Sequence, residues 1–189
     1  MHVVYTGERV RLRPFRDAAE WLELRATIDA VPNDYWGSLF HPQARHAAQF
    51  ERNGLLDEAG LGAFAIERLD TGQLVGYERH RTPRPGAIAA SVGTLILEEH
   101  WHRGFGIEAK QLCFCHLFEN YAIERAEAST FSNHLRARRG MELSGMQPEG
   151  RLRSWLRVSG VYQDLLMYRI LREQWEQLPI RQVVRRGAL

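Results

Sequence analysis

The chain has 189 residues, 44% of them hydrophobic and 25% charged, the balance of a globular protein with one core. A single domain over residues 1–189 is expected, with its core at about 8–178 and a polar tail over 179–189. The net charge of +2 is too small to predict nucleic-acid binding from bulk electrostatics, and neither a bilayer-length apolar run nor a signal-peptide core is present, so a cytoplasmic chain without a membrane partner is expected.

Arg9-Val-Arg-Leu-Arg-Pro-Phe15 alternates polar and apolar residues and predicts a half-buried strand ending at Pro14. Asp17 with Glu20 predicts a capping box opening a helix to about Ile28. Pro32-Asn-Asp-Tyr-Trp-Gly37 reads as an aromatic loop, either packed or lining a substrate pocket. Pro42 suits the first turn of a second helix ending near Gly54. Residues 62–81 read as a hairpin across Asp70-Thr-Gly-Gln73, and Thr82–Gly86 as irregular chain.

Ile88–Leu97 predicts a strand that runs into the glycine turn Arg103-Gly-Phe-Gly106 and restarts as a helix over 107–120. Such a turn leaves free N–H groups at a helix N-terminus, where an anion, most often a phosphate, is attracted. Cys113 and Cys115 lie two apart on that helix and face different ways, so they read as buried apolar residues in a reducing compartment, not as a disulfide or metal pair. A strand over 125–131, a helix over 135–143, a hairpin pairing 150–157 with 162–171 and a short helix at 173–178 complete the pattern. Strands around a central helix without strict alternation argue for a mixed sheet in an α+β, three-layer (α/β/α) arrangement.

Taken in order, these segments resemble the GNAT acyltransferases, and within them the branch of ribosomal-protein N-terminal acetyltransferases. Residues 9–15 resemble that branch's opening strand. Trp101-His-Arg-Gly-Phe-Gly-Ile-Glu-Ala-Lys110 resembles its coenzyme turn, Gln/Arg-x-x-Gly-x-Gly/Ala. Ser132-Asn133, then Glu142–Arg153, resemble its Asn-x-x-Ser…Gly-Phe-x-x-Glu-Gly segment, and Gly160–Trp175 its last hairpin and helix. Three positions depart from the pattern. Trp101 stands at the Gln/Arg position, Asn133 is one residue too far from Glu142, and Ser91 stands where relatives often place a carboxylate.

The resemblance implies a mostly antiparallel sheet of about seven strands with a splayed central pair, and direct acetyl transfer from acetyl-CoA to an amine in a ternary complex, with no metal. It implies that backbone groups of Leu95 and Leu97 meet the pantetheine arm and that N–H groups of Arg103, Gly104, Phe105, Gly106 and Ile107 hold the pyrophosphate. Ser132 and Asn133, after the splayed strand, become candidates to orient groups there. Among carboxylates, Glu67 is the base candidate; it and Glu78 are otherwise solvated hairpin residues, as are Glu98 and Glu99 beside the turn. His100 and His102 are expected in solvent, and Tyr168 in the core. The expected partner is an amine acceptor, a peptide N-terminus or a small molecule. Trp155, Leu156, Val158 and Val161 on the last hairpin suggest a homodimer. Two alternatives stand beside the enzyme. One is a degenerate CoA-binding protein; the other, through Arg136, Arg138, Arg139, Arg151, Arg153 and Arg157, is an RNA- or ribosome-associated protein.

Overall fold

The computed structural model describes residues 3–30, 43–55, 61–81, 88–158 and 160–188. The chain forms β1 (Val3–Thr6), β2 (Val10–Arg13), α1 (Ala18–Asp29), α2 (Gln43–Asn53), β3 (Leu61–Arg68), β4 (Leu74–Arg81) and β5 (Ala89–Ile96). After a short turn of 3-10 helix at Glu98–His100 come α3 (Phe105–Asn120), β6 (Arg125–Phe131), α4 (Leu135–Leu143), β7 (Gln147–Val158) and β8 (Val161–Leu171). Two helical turns, α5 (Arg172–Trp175) and α6 (Ile180–Val183), precede β9 (Arg185–Ala188). The aromatic loop at 32–37, Pro42 and the segment 82–86 lie outside the described residues.

The strands make one mixed sheet in the order β7-β8-β6-β5-β4-β3-β2-β1-β9. Every pairing is antiparallel except β5 with β6. Among the described residues nine strands replace the expected seven. The additions are β1 and β9, which pair with each other from Val3↔Ala188 to Thr6↔Arg185. The stretch expected as a polar tail therefore carries a helical turn and an edge strand. Its Arg-Arg-Gly-Ala sequence has no apolar alternation, because backbone hydrogen bonds and not side-chain burial hold it.

Alternation along β3 explains the layers. Phe64 and Ile66 point to one face and join Tyr5, Leu12 and Val75 against α3. Ala63 and Ala65 point to the other and join Phe15, Trp21 and Leu24 of the α1 side. The helix α3 is apolar around much of its circumference, with Phe105, Ala109, Leu112–Cys115, Leu117 and Phe118 buried, since it has the sheet beneath it and Trp175 stacked on Phe118 at 5.0 Å. Both cysteines are buried and free. The guanidinium of Arg172 closes the far end of α3, donating to the carbonyls of Phe118 (2.9 Å), Tyr121 (3.1 Å) and Ile123 (2.7 Å).

Half of the predicted capping box forms. Asp17 Oδ1 accepts from the Glu20 amide at 2.8 Å, but the Glu20 carboxylate turns to Arg13 and Arg16 and not to the Asp17 amide.

Two histidines are packed under the sheet beside α3. The rings of His80 and His116 lie 4.9 Å apart, centroid to centroid, with Phe64 stacked on His80 at 5.4 Å. Burial holds His80 down at about 3, with His116 adding to it, and burial holds His116 at about 4. An unfolded histidine titrates near 6.5, so the unfolded chain takes up protons that the folded one refuses as pH falls below that value. Stability is full above about pH 6.5 and falls towards pH 4, by roughly 2 kcal/mol per ring at pH 5. Urea unfolding at pH 7 and pH 5 should show this loss, and His116→Phe should reduce it by roughly 2 kcal/mol.

Candidate active site

The parallel strands β5 and β6 pair only at Ala89↔Arg125, Ala90↔Ala126 and Ser91↔Glu127. Beyond these, β5 runs on to Ile96 and β6 to Phe131 with no register between them. The sheet therefore opens into a wedge at the carboxyl ends of the parallel pair β5 and β6. That is where open sheets with parallel strands bind ligands, because the helices that follow diverge there.

Facing the wedge is the turn into α3. His102 (φ 61°) and Gly104 (φ 80°) are both left-handed on either side of Arg103. Alternating handedness turns successive N–H groups towards one side, forming an anion nest, and the start of a 16-residue helix adds positive potential. The Gly104 carbonyl accepts from Ile107 and Glu108 (3.1 and 3.2 Å), while the N–H groups of Arg103, Gly104, Phe105 and Gly106 have no acceptor among the described residues. The two glycines serve different needs. Gly104 supplies the left-handed conformation; Gly106 is a right-handed helical residue whose missing Cβ would sit 3.2 Å from Ile96 Cγ1, so glycine lets α3 pack close on β5. The turn is fixed from behind. Glu108 accepts from the amides of Arg9 (2.9 Å) and Val10 (3.3 Å), and Arg9 Nη1 donates to the Arg103 carbonyl at 3.0 Å. An open cleft of about 510 Å³ adjoins it, lined in part by Arg9, Arg68, Asp70, Arg103 and Phe105.

Several expected site residues are placed differently. The Leu97 amide donates to Val75 at 2.9 Å, and the Leu95 carbonyl lies 2.0 Å from where a Gly76 Cβ would stand. Both leucines thus direct backbone groups to β4. Strand alternation gives the open side of β5 to Thr94 and Ile96 instead. Glu67 is not solvated. It is 6% exposed and paired with Arg11 and Arg13, the latter through Nε at 2.5 Å. Arg13 also grips Glu20 (2.6 and 2.8 Å); burial alone would raise the Glu20 carboxyl, but Arg13 and Arg16 overcome it and hold Glu20 at about 2. Glu78 is likewise not solvated but fully buried, and burial outweighs nearby Lys110 and Thr94 to raise its pKa. His100 is buried against Phe105, ring centroids 6.4 Å apart, and burial lowers its pKa, whereas His102, Glu98 and Glu99 are exposed. Tyr168 is in the core.

Ser132 and Asn133 do lie at the wedge's lip, just after β6. The Ser132 amide donates to Asp164 (2.9 Å) and its carbonyl accepts from Arg138 (3.1 Å); Asn133 is exposed. The next residue was not singled out in the sequence. His134 Nδ1 sits 3.2 Å from Thr130 Oγ1, and burial, then Arg136, lower its pKa to about 4. Only the i, i+4 spacing hints at the pair, and it spans a strand end and a turn. The expected arginine cluster is divided among separate partners. Arg136 stacks on Trp101, Arg138 holds Ser132, and Arg151 pairs with Asp164. Among the described residues no three His, Cys, Asp or Glu side chains converge as a metal set, and no helix is long and apolar enough to cross a membrane.

Residues 9–147 match the family described as the acetyltransferase (GNAT) domain. An uncharacterized N-acetyltransferase, YoaA of Bacillus subtilis, is 28% identical over 109 residues, 58% of this chain and 62% of that protein, so the match spans about three fifths of the relative. Among solved structures, Mycobacterium smegmatis RimJ in complex with CoA-disulfide superposes with a TM-score of 0.74 at 22% identity, covering 97% of this chain and 99% of that one. RimL, a ribosomal L7/L12 alpha-N-protein acetyltransferase in complex with coenzyme A, gives 0.73 at 17% identity over 86% and 94%. A spermidine N-acetyltransferase chimera of Vibrio cholerae SpeG and hSSAT gives 0.78 at 17% identity over 90% and 100%.

The pairing of Glu67 makes it a structural group. Glu67→Gln leaves the buried Arg13 with half its counter-charge and should cost roughly 2–4 kcal/mol in urea unfolding. CoA affinity of the folded variant, measured by calorimetry, should stay within error of the parent; a pure binding or rate defect at full stability would return Glu67 to the chemistry.

Proposed function

The chain belongs to the GNAT acetyltransferase family, and from that premise we propose that it moves an acetyl group from acetyl-CoA to a primary amine, a protein N-terminus or a small molecule, with both substrates bound together. One observation carries the reading. Among the described residues the one parallel strand pair opens directly beside a nest of amides without acceptors at the start of α3. The residues fit the donor. The N–H groups of Arg103–Gly106 suit a pyrophosphate, and the unpaired side of β5 at Thr94 suits an extended amide-bearing arm. When bound, acetyl-CoA supplies an activated thioester carbonyl.

Two of the similar solved structures are named for amine acceptors, a ribosomal-protein N-terminus and spermidine, which supports the class of acceptor without selecting a member. The chain's own contribution is positioning. Holding two reactants in one wedge removes much of the entropic barrier, so a weak proton acceptor suffices. Both hairpin glutamates are otherwise engaged, Glu67 by arginines and Glu78 by burial, so the ammonium proton leaves to water at the lip near Ser132 and Asn133. That same engagement favours, as a second reading, a protein that binds CoA without turnover.

A panel of amines and N-terminal peptides with acetyl-CoA, read by free thiol release, separates the two. Turnover that rises with the fraction of neutral amine supports the enzyme, and binding without thiol release supports the second reading. Gly106→Glu places a carboxylate against Ile96 beside the nest and should abolish calorimetric CoA binding, a loss of roughly 3–6 kcal/mol for two phosphate hydrogen bonds. Binding that survives it would reject this placement of the phosphates.

We also propose a homodimer. The β7–β8 arm extends past the end of β6, whose last pairing is Phe131↔Leu165, and bears Leu152, Trp155 (59% exposed), Leu156 and Val161 in solvent. A second copy covering that apolar arm predicts a dimer mass by light scattering at micromolar concentration, and a monomer mass for Trp155→Lys with Val161→Lys.

A further inference from the structure

Trp101 and Arg136 come from opposite sides of the wedge. Trp101 belongs to the turn after β5 and Arg136 to the first turn of α4, after β6. They meet face to face, with the guanidinium carbon 3.1 Å from the indole centroid. The same indole donates from Nε1 to the Ile96 carbonyl at 2.7 Å. Ile96 is one of the two residues whose backbone faces the unpaired side of β5. The indole thus occupies the edge group that an incoming amide-bearing chain needs, and the stacked guanidinium ties the two lips of the wedge together. A residue that merely completed the turn would have no cause to reach across to α4.

We propose that Trp101 and Arg136 form a clasp over the wedge and that this clasp must part before the thioester arm of the donor can lie along β5. The inference rests on the acetyl-CoA reading above and adds to it the step that limits entry. Binding then draws only on the open fraction of molecules, so apparent affinity and association rate are both reduced by that fraction. The clasp has two separable parts, the indole hydrogen bond to Ile96 and the stack on Arg136. When it opens, the Ile96 carbonyl becomes available to an amide N–H of the arm, and the indole leaves the guanidinium for a new environment.

Stopped-flow mixing with CoA and calorimetry test this. Trp101→Phe keeps a ring over Arg136 but cannot donate to Ile96, and it should speed association roughly three- to tenfold, the worth of one hydrogen bond. Arg136→Ala removes the stack and should speed association by a similar factor, about two- to tenfold. Because the two variants break different contacts of one clasp, their factors should multiply until the clasp stands open in most molecules, and the double variant should associate at least as fast as either single one. Tryptophan fluorescence of the wild type should change on CoA binding, and Trp101→Phe should lose most of that change. Thermal unfolding run alongside shows whether each variant is folded. A folded Trp101→Phe or Arg136→Ala that binds CoA more slowly than wild type, or a double variant slower than either single one, would overturn the clasp. Wild type that binds no CoA at millimolar concentration would instead defeat the acetyl-CoA reading on which it stands.

Discussion

The arrangement depends on a ladder that stops. Three paired positions join β5 to β6, and then the strands part. Had pairing continued to Ile96 and Phe131, the sheet would be closed from edge to edge and α3 would begin over a solid surface. The parting also leaves strand groups unpaired, which a closed sheet would satisfy internally. Unpaired backbone beside a helix start is costly unless something meets it, and in this structure the Trp101 indole meets one such group. Binding capacity and a partly satisfied backbone are thus two aspects of the same interruption.

What holds the wedge open is rigid packing on both sides of it. Below, α3 is fixed at its start by Glu108 on the amides of Arg9 and Val10, and at its end by Arg172. Above, Arg13 joins β2, β3 and α1 through Glu67 and Glu20. These are polar ties between elements distant in sequence, and those of Arg13 are buried, so breaking one of them leaves a charge without a partner. The site itself has few charged groups free to move. This combination suits a protein whose contribution is geometry more than a tuned acid or base.

The elements from β2 to β8 were legible because each carries a local signal: alternation in β2 and β4, the Asp-Thr-Gly-Gln turn of the hairpin, and the glycine turn before α3. The nest was legible for the same reason, since left-handed Gly104 is a local demand. What escaped was decided by register and by distant partners. Whether Leu95 or Ile96 faces the wedge depends on a one-residue parity against β4, which nothing in the strand's own sequence reveals. Glu67 and Glu78 read as solvated because a hairpin glutamate usually is, yet Arg13 and the underside of α3 lie far off in the chain. His134 with Thr130 required knowing where β6 ends. β9 has no side-chain pattern at all, and only its pairing with β1 defines it.

That last pairing bears on how the molecule is made. Val3 and Ala188 are neighbours across a ladder although almost the whole chain separates them. Closing so long a loop is entropically unfavourable and is compensated only when everything between has folded. β1 can settle on the nearby β2 early, but its other edge stays open until β9 is in place against it. That edge is exposed to wrong partners for the whole interval, so this corner of the sheet is the last to be sealed.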